Sequence, residues 1–279
     1  MSREMNTLRL SHINVYPVKS CKGISLKSAE LTPYGLANDR QWMVVDQSGV
    51  FLSQRTMPKM ALIEVFVTPS RLALSAPGQD QIEIVRRSET SPLHEVRIWK
   101  DSCSASDCGD PVADWLSSFL GISCRLVTMS DSFVRHVDPA YSRDADEVGF
   151  ADAFPFLLIS TASLRDLNSH LELPIPMNRF RPNLVVEGCH PYAEDGWIEI
   201  SIGSLVFRIS KPCARCTVPT VDQDTGIKGL EPLRTLATIR RGTGDKVFFG
   251  QNLINENKFG TITVGSEIKI LATGGQSPV

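Results

Sequence analysis

The sequence predicts a mainly β protein with α+β character: an N-terminal β-barrel-like part, then a second β-barrel part with a few helices. Three observations carry that expectation. From Leu8 to about Trp99, short apolar runs are broken every 8 to 12 residues by turn signals, the spacing of a small barrel or sandwich. One stretch near residue 110 then switches to a helical period. Beyond it the chain returns mostly to short strands.

In order, the first part offers the runs LRLSHINVY, SLKSAEL, QWMVVD, ALIEVFV, RLALSA, QIEIV and HEVRIW, separated by VKSCKG, PYGLANDR, DQSG and APGQ. Residues 110–121 read as an amphipathic helix. Asp110 is its expected N-cap and Pro111 its first helical position. Val112, Trp115, Leu116, Phe119 and Leu120 share one face, and Gly121 ends it. The change of period puts the expected boundary near residue 100, giving domains of 1–100 and 101–279.

A strand is expected at Cys124–Thr128, then a long polar loop from Met129 to Asp152; loops of that size are commonly functional or mobile. FPFLLIS reads as a buried strand, and Thr161–Leu171 as a helix with Leu164, Leu167 and Leu171 on one face. A strand feeding a Ser-Thr helix start is a natural anion cradle, because free N–H groups and hydroxyls converge there. Pro174 and Pro176 stop that helix. WIEISIG, LVFRISK, VFFGQNLIN, GTITVG and EIKILA complete the strands, with a weak helical turn at Leu230–Ala237.

With 42% hydrophobic and 22% charged residues in 279, the chain reads as a soluble globular protein. A net charge of −2 gives no global attraction for nucleic acid or an anionic membrane. Seven scattered cysteines without a secretory signal favour free thiols in a reducing compartment, and a cytoplasmic address is expected. No apolar run approaches a membrane span.

Chemistry concentrates in ISKPCARCTVPTVDQDTG. The pair Cys213 and Cys216 could be half of a zinc site, a redox dithiol, a metal thiolate with a bystander, or two inert buried residues. Lys211 and Arg215 weigh against the last, since neighbouring cations stabilise a thiolate. Basic residues also stand at turns with no obvious structural need: Lys19 beside Ser20, Arg40, Arg55, Arg179 and Arg181. Arg181 is a planar fork of donors suited to phosphate or carboxylate oxygens. The five histidines show no ligand spacing. G-x-S-x-G, GxGxxG and Walker A patterns are missing, which argues against a serine hydrolase, a Rossmann site and a P-loop.

INVYPVKSCKG, GLANDRQWMVVD, IWKDSCSASDCGDPVADWLSSFLG, FADAFPFLLISTASLRDLN, NRFRPNLVV and CARCTVPTVDQDTG together resemble the proteins that join an N-terminal β-barrel domain to a MOSC domain, of the bacterial YcbX type and the mitochondrial amidoxime reducing component type. The resemblance implies a molybdenum cofactor, a pyranopterin dithiolene, with Cys216 as the protein's metal ligand and Cys213 as a neighbour. It implies cofactor contacts at Lys19, Ser20, Arg40, Thr161, Arg181, Asn183 and Arg215. The implied reaction is two-electron reduction of N-hydroxylated small molecules (amidoximes, hydroxylamines and N-hydroxylated purine bases) with release of water. The alternative is a non-catalytic cofactor carrier or a sulfur-handling protein. No cysteine follows Cys216, so no [2Fe–2S] cluster is expected within this chain. Electrons are expected from a separate ferredoxin- or flavoprotein-type donor.

Overall fold

A computed structural model describes residues 7–85, 92–143 and 146–274. Its largest sheet has eight strands, in the order Ile268–Thr273, Trp197–Ile202, Leu205–Ala214, Phe248–Asn255, Phe156–Ser160, Leu184–Glu187, Arg9–Val15 and Ile24–Leu26. Phe156–Ser160 and Leu184–Glu187 run parallel. Parallel neighbours need a crossover, and here it carries a helix over Thr161–Ser169, called α2 below. The sheet curls on itself: Leu10 N–H donates to Ser266 O at 3.0 Å and Ile268 N–H to Leu8 O at 2.8 Å. Leu10, Ile13, Phe156, Leu158, Phe207 and Leu253 fill the curl. The protein is mainly β with α+β character.

A four-stranded sheet, Trp42–Asp46, Cys124–Met129, Asp101–Asp107 and Leu93–Ile98, and two three-stranded sheets complete the β structure. Helix α1, Asp110–Leu120, buries Val112, Leu116 and Phe119 against Val18, Trp42, Met60 and Leu72. Gly109, not Asp110, is its N-cap; the Asp110 carboxylate accepts instead from Arg125 at 2.7 Å. Gly121 ends it in the left-handed region at φ 76°, as its position suggests. A third helix, α3, spans Leu233–Ile239.

Residue 100 lies in the hairpin turn between Leu93–Ile98 and Asp101–Asp107, whose residues pair from Asp101↔Ile98 to Ser106↔Leu93. The strand Arg9–Val15, from the first part, pairs with Leu184–Glu187 from the second. Hydrophobic period thus marks where element type changes, while packing runs across that point.

Positions 144 and 145 of the Met129–Asp152 segment lie outside the described residues. The rest of it is pinned. Arg135 is buried; it donates to the carbonyls of Gly149 at 2.9 Å, Ala151 at 2.6 Å and Asp152 at 2.9 Å, and pairs with Asp101 at 2.8 Å. Phe133 and Phe150 pack edge to face beneath it, with ring centroids 5.1 Å apart.

Candidate functional site

The strand Leu205–Ala214 is bulged twice against its partner, between Ile209 and Lys211 and between Pro212 and Ala214. Bulges re-aim side chains and end pairing, and the chain leaves the sheet directly afterwards at Arg215 and Cys216. Both cysteines are free thiols. Arg215 Nη1 donates to the Cys213 sulfur at 3.1 Å and Nη2 to Phe180 O at 2.9 Å. Its Nε is buried with no partner among the described residues. Cys213 packs against the aromatic cluster of Phe180 and Phe249.

Beyond the cysteines, Asp222 accepts from Thr225 N–H and Oγ1–H, both at 2.9 Å, and so tightens the VDQDTG turn. That turn delivers Gln223 inward. Gln223 and Gln54 exchange amide hydrogen bonds at 2.9 and 3.1 Å, and Gln223 Oε1 accepts from Arg181 Nη1 at 3.5 Å.

The opposite wall is built from strained backbone. Ser20, Arg40 and Arg181 sit at φ 69°, 46° and 57°, conformations that cost a non-glycine residue roughly 1–3 kcal/mol and cluster at functional sites. Arg40 Nη1 pairs with Asp39 at 2.6 Å and donates to Asn183 Oδ1 at 2.9 Å. The Tyr16 ring lies against two guanidiniums, Arg40 at 4.5 Å and Arg181 at 4.2 Å. Arg181 is 8% exposed, and its guanidinium donates to Gln223 Oε1 at 3.5 Å. Burial, and then the like charge of Arg40, push its guanidinium down to about 10. It is a desolvated cation that forms no ion pair among the described residues, Asp39 acting on it only from a distance.

Lys19 is also buried; its Nζ donates to Phe150 O at 2.8 Å and pairs with Asp152. Desolvation pushes it down to about 8, although Asp152 opposes the shift. Asp152 accepts as well from Arg55 at 3.0 Å and from the Trp99 indole at 3.4 Å. Arg55 stacks over Trp99 at 4.4 Å and reaches the Cys216 sulfur.

These groups line one cavity of about 620 Å³. Lys211 and Lys246 join Lys19, Arg40, Arg55, Arg181 and Arg215 in its wall, against the single acid Asp152. No group of three or more His, Cys, Asp or Glu side chains suited to a metal occurs among the described residues.

Comparison with known proteins decides the family. The MOSC N-terminal beta barrel domain matches residues 7–123 and the MOSC domain matches residues 145–269. The chain belongs to the MOSC family. Mitochondrial amidoxime-reducing component 1 of Mus musculus is 40% identical, over 92% of this chain and 80% of that one. Its Homo sapiens counterpart is 36% identical, over 92% and 81%. Molybdenum cofactor sulfurase 1 of Aedes aegypti is 34% identical over 89% of this chain but only 34% of its own length.

In this MOSC protein, Lys19, Ser20, Arg40, Arg181, Asn183, Arg215 and Cys216 all line the one cavity. Thr161 does not. It lines a second cavity of about 460 Å³, which shares Arg181 with the first. The anion cradle expected at the start of α2 is already filled from within. Glu194 Oε1 accepts from Ser160 N–H at 3.0 Å and Ser163 Oγ–H at 2.8 Å, while Ser160 Oγ caps the helix by accepting from Ser163 N–H at 3.0 Å. Arg179 is likewise structural: it donates to Pro219 O at 2.8 Å.

Sequence reading of this MOSC protein passes over Asp152, Tyr16 and Gln223, and notes Arg55 only as a basic residue at a turn. Asp152 and Tyr16 carry no local signal, since their roles arise from partners far off in the chain. Gln223 stands inside the VDQDTG turn, where an inward amide could have been suspected. No helix among the described residues is long and apolar enough to cross a membrane.

Proposed function

We propose that this protein is a reductase of N-hydroxylated compounds such as amidoximes, hydroxylamines and N-hydroxylated purine bases, working with a molybdenum cofactor held through Cys216. The observation that carries the reading is the cavity wall itself, seven basic side chains against one acid with the thiols of Cys213 and Cys216 among them. A soft thiolate suits a metal that arrives on sulfur ligands, and buried guanidiniums suit an anionic tail. The orphaned Arg215 Nε and the desolvated Arg181 are donors in want of an acceptor. The residues present therefore fit the group.

When bound, the cofactor supplies the two-electron redox chemistry. The chain's own residues bind and orient. Cys216 Sγ is the metal ligand, and Arg55 beside it steadies the thiolate charge. Arg181, Arg215 and Ser20 take the anionic part, Arg40 and Asn183 fix that wall, and Cys213 is a packed neighbour. Lys19 Nζ keeps a proton at neutral pH in the cavity wall, held by Phe150 O and Asp152. Reduction of an N–OH group to N–H consumes two electrons and two protons and releases water. The electrons come from a separate ferredoxin- or flavoprotein-type donor, and the expected cytoplasmic address is part of the same proposal.

The 34% identity to a protein named a molybdenum cofactor sulfurase favours a second reading, a cofactor carrier or sulfur-handling protein. One assay separates the two. Purified protein of known molybdenum content is given a chemical electron donor and an amidoxime or a hydroxylaminopurine, and amidine or aminopurine is followed. Turnover supports the reductase. Stoichiometric molybdenum without turnover overturns it in favour of the carrier.

A further inference from the structure

We propose that Lys211, with the rings of Tyr141 and Phe154, forms a substrate-selecting wall of the first cavity, one that takes an N-hydroxylated compound built on a flat ring and carrying an anionic group. The inference rests on the reductase reading for the identity of the reacting group. Lys211 and Cys216 line the same cavity. Lys211 directly follows the first bulge of its strand, Leu205–Ala214, and bulges re-aim side chains. Its ammonium lies 4.2 Å from the Tyr141 ring centroid and 5.2 Å from that of Phe154. Among the described residues it makes no hydrogen bond and no ion pair. The one acid of the cavity wall, Asp152, is taken by Lys19 and Arg55. Lys211 is thus a cation on an aromatic face with its charge unanswered, and none of the cofactor contacts implied by the sequence falls on it. An ammonium offers three donors, and an anion's oxygens accept what the rings do not.

The wall is fixed before any ligand arrives. Arg208, on the same strand, donates to Tyr141 O at 2.7 Å and pairs with Asp146 at 2.7 Å. Lys258 holds Asp146 as well, at 2.8 Å. Tyr141 and Phe154 then meet edge to face, with ring centroids 5.9 Å apart. Half-buried Pro212 and Phe248 continue the apolar lining, a surface suited to a flat ring. Little ordering entropy is lost when a ligand meets a wall already in place. A free anion leaves this lining uncovered, and a neutral ring leaves the ammonium unanswered; a ring with an anionic substituent answers both. A ring-bound carboxylate and the phosphate of an N-hydroxylated nucleotide share that chemistry.

The test is equilibrium dialysis against the molybdenum-loaded protein with no electron donor present, so that nothing turns over. Two pairs of ligands are compared: benzamidoxime with 4-carboxybenzamidoxime, and 6-hydroxylaminopurine riboside with its 5′-monophosphate. The anionic member of at least one pair is expected to bind about tenfold tighter, and the pair that shows it names the anion's source. Lys211→Met, which keeps an unbranched stem over the rings, is expected to erase that difference. Tyr141→Leu is expected to weaken both members of the pair about threefold to tenfold; undiminished binding there overturns the part given to the rings. Equal binding within both pairs overturns the proposal. So does a difference that survives Lys211→Met, since the anion then sits elsewhere. Loss of molybdenum or pterin from Lys211→Met overturns it too, since the lysine then serves the cofactor. Binding as expected, followed by no reduction once a donor is added, supports the wall and overturns the reductase reading.

Discussion

Arg40 Nη1 donates to Asn183 Oδ1 at 2.9 Å, across 143 positions of sequence. Arg40 belongs to the turn before Trp42–Asp46, and Asn183 directly precedes Leu184–Glu187 in the large sheet. Asn183 also accepts from Leu157 N–H at 3.3 Å and donates to Asn14 O at 3.1 Å. It is a structural junction in the cavity wall. Asn183→Ala strands a buried guanidinium donor and two backbone groups, so a loss of about 1.5–3 kcal/mol in unfolding free energy is expected. Urea denaturation measures it. A change below about 0.5 kcal/mol would mean that Asp39 and the Arg181 carbonyl hold Arg40 without it.

Several basic residues of this wall are legible in the sequence alone. Lys19, Arg40 and Arg181 stood out as basic residues at turns without structural need, and Arg40 and Arg181 do adopt positive φ. Helix α1 was legible because its whole signal is local: one apolar face, a proline at the start and a glycine at the end. The filled start of α2 was not, because Glu194 reaches it from 34 residues away and nothing local announces a buried carboxylate. Pairing across the expected boundary near residue 100 has no local signal either. Strand pairing such as Arg9↔Glu187 is a through-space relation that periodicity cannot carry.

Lys19 sets a pH dependence. Its folded value of about 8 lies below the ordinary 10.5, so between those values the unfolded chain binds more protons. This group's contribution to stability therefore rises with pH across that window, its desolvation cost being full below pH 8. Tyr16 and Cys21, both pushed up to about 12 by burial, act in the opposite direction at high pH. The clean quantity is the difference between wild type and Lys19→Met, in which those groups cancel. That difference should shift in favour of wild type by up to about 3 kcal/mol between pH 8 and 10.5. Parallel urea midpoints in the two proteins across that window would show that Lys19 is solvated.

Arg181→Ala should loosen the cofactor and leave the fold. A charge-assisted hydrogen bond in a desolvated site is worth about 1.5–3 kcal/mol, a factor of roughly 10 to 150 in retention. Molybdenum and pterin content after gel filtration reports it, alongside a thermal melt. Removing this cation relieves its desolvation but also ends its stacking on Tyr16 and its bond to Gln223, so the two effects oppose each other and the empty variant should melt close to empty wild type. Full retention of cofactor by the variant would show that Arg181 does not hold the cofactor's anionic part.

The two cysteines should separate sharply. Cys213 packs among Phe180 and Phe249 and accepts from Arg215 at 3.1 Å, so its sulfur is already occupied as a packing and hydrogen-bonding group. Cys216 lies beyond the last bulge of the strand, with Arg55 against it in the cavity wall. Cys216→Ala should remove one sulfur from the metal's shell, seen by X-ray absorption, and abolish amidoxime reduction. Cys213→Ala leaves a small half-buried gap and a released Arg215 donor, a stability cost of about 1 kcal/mol, with the metal's sulfur count unchanged. Equal loss of sulfur ligation in both variants would mean that the pair ligates jointly. The bulge between Pro212 and Ala214 would then have to present both sulfurs to one metal.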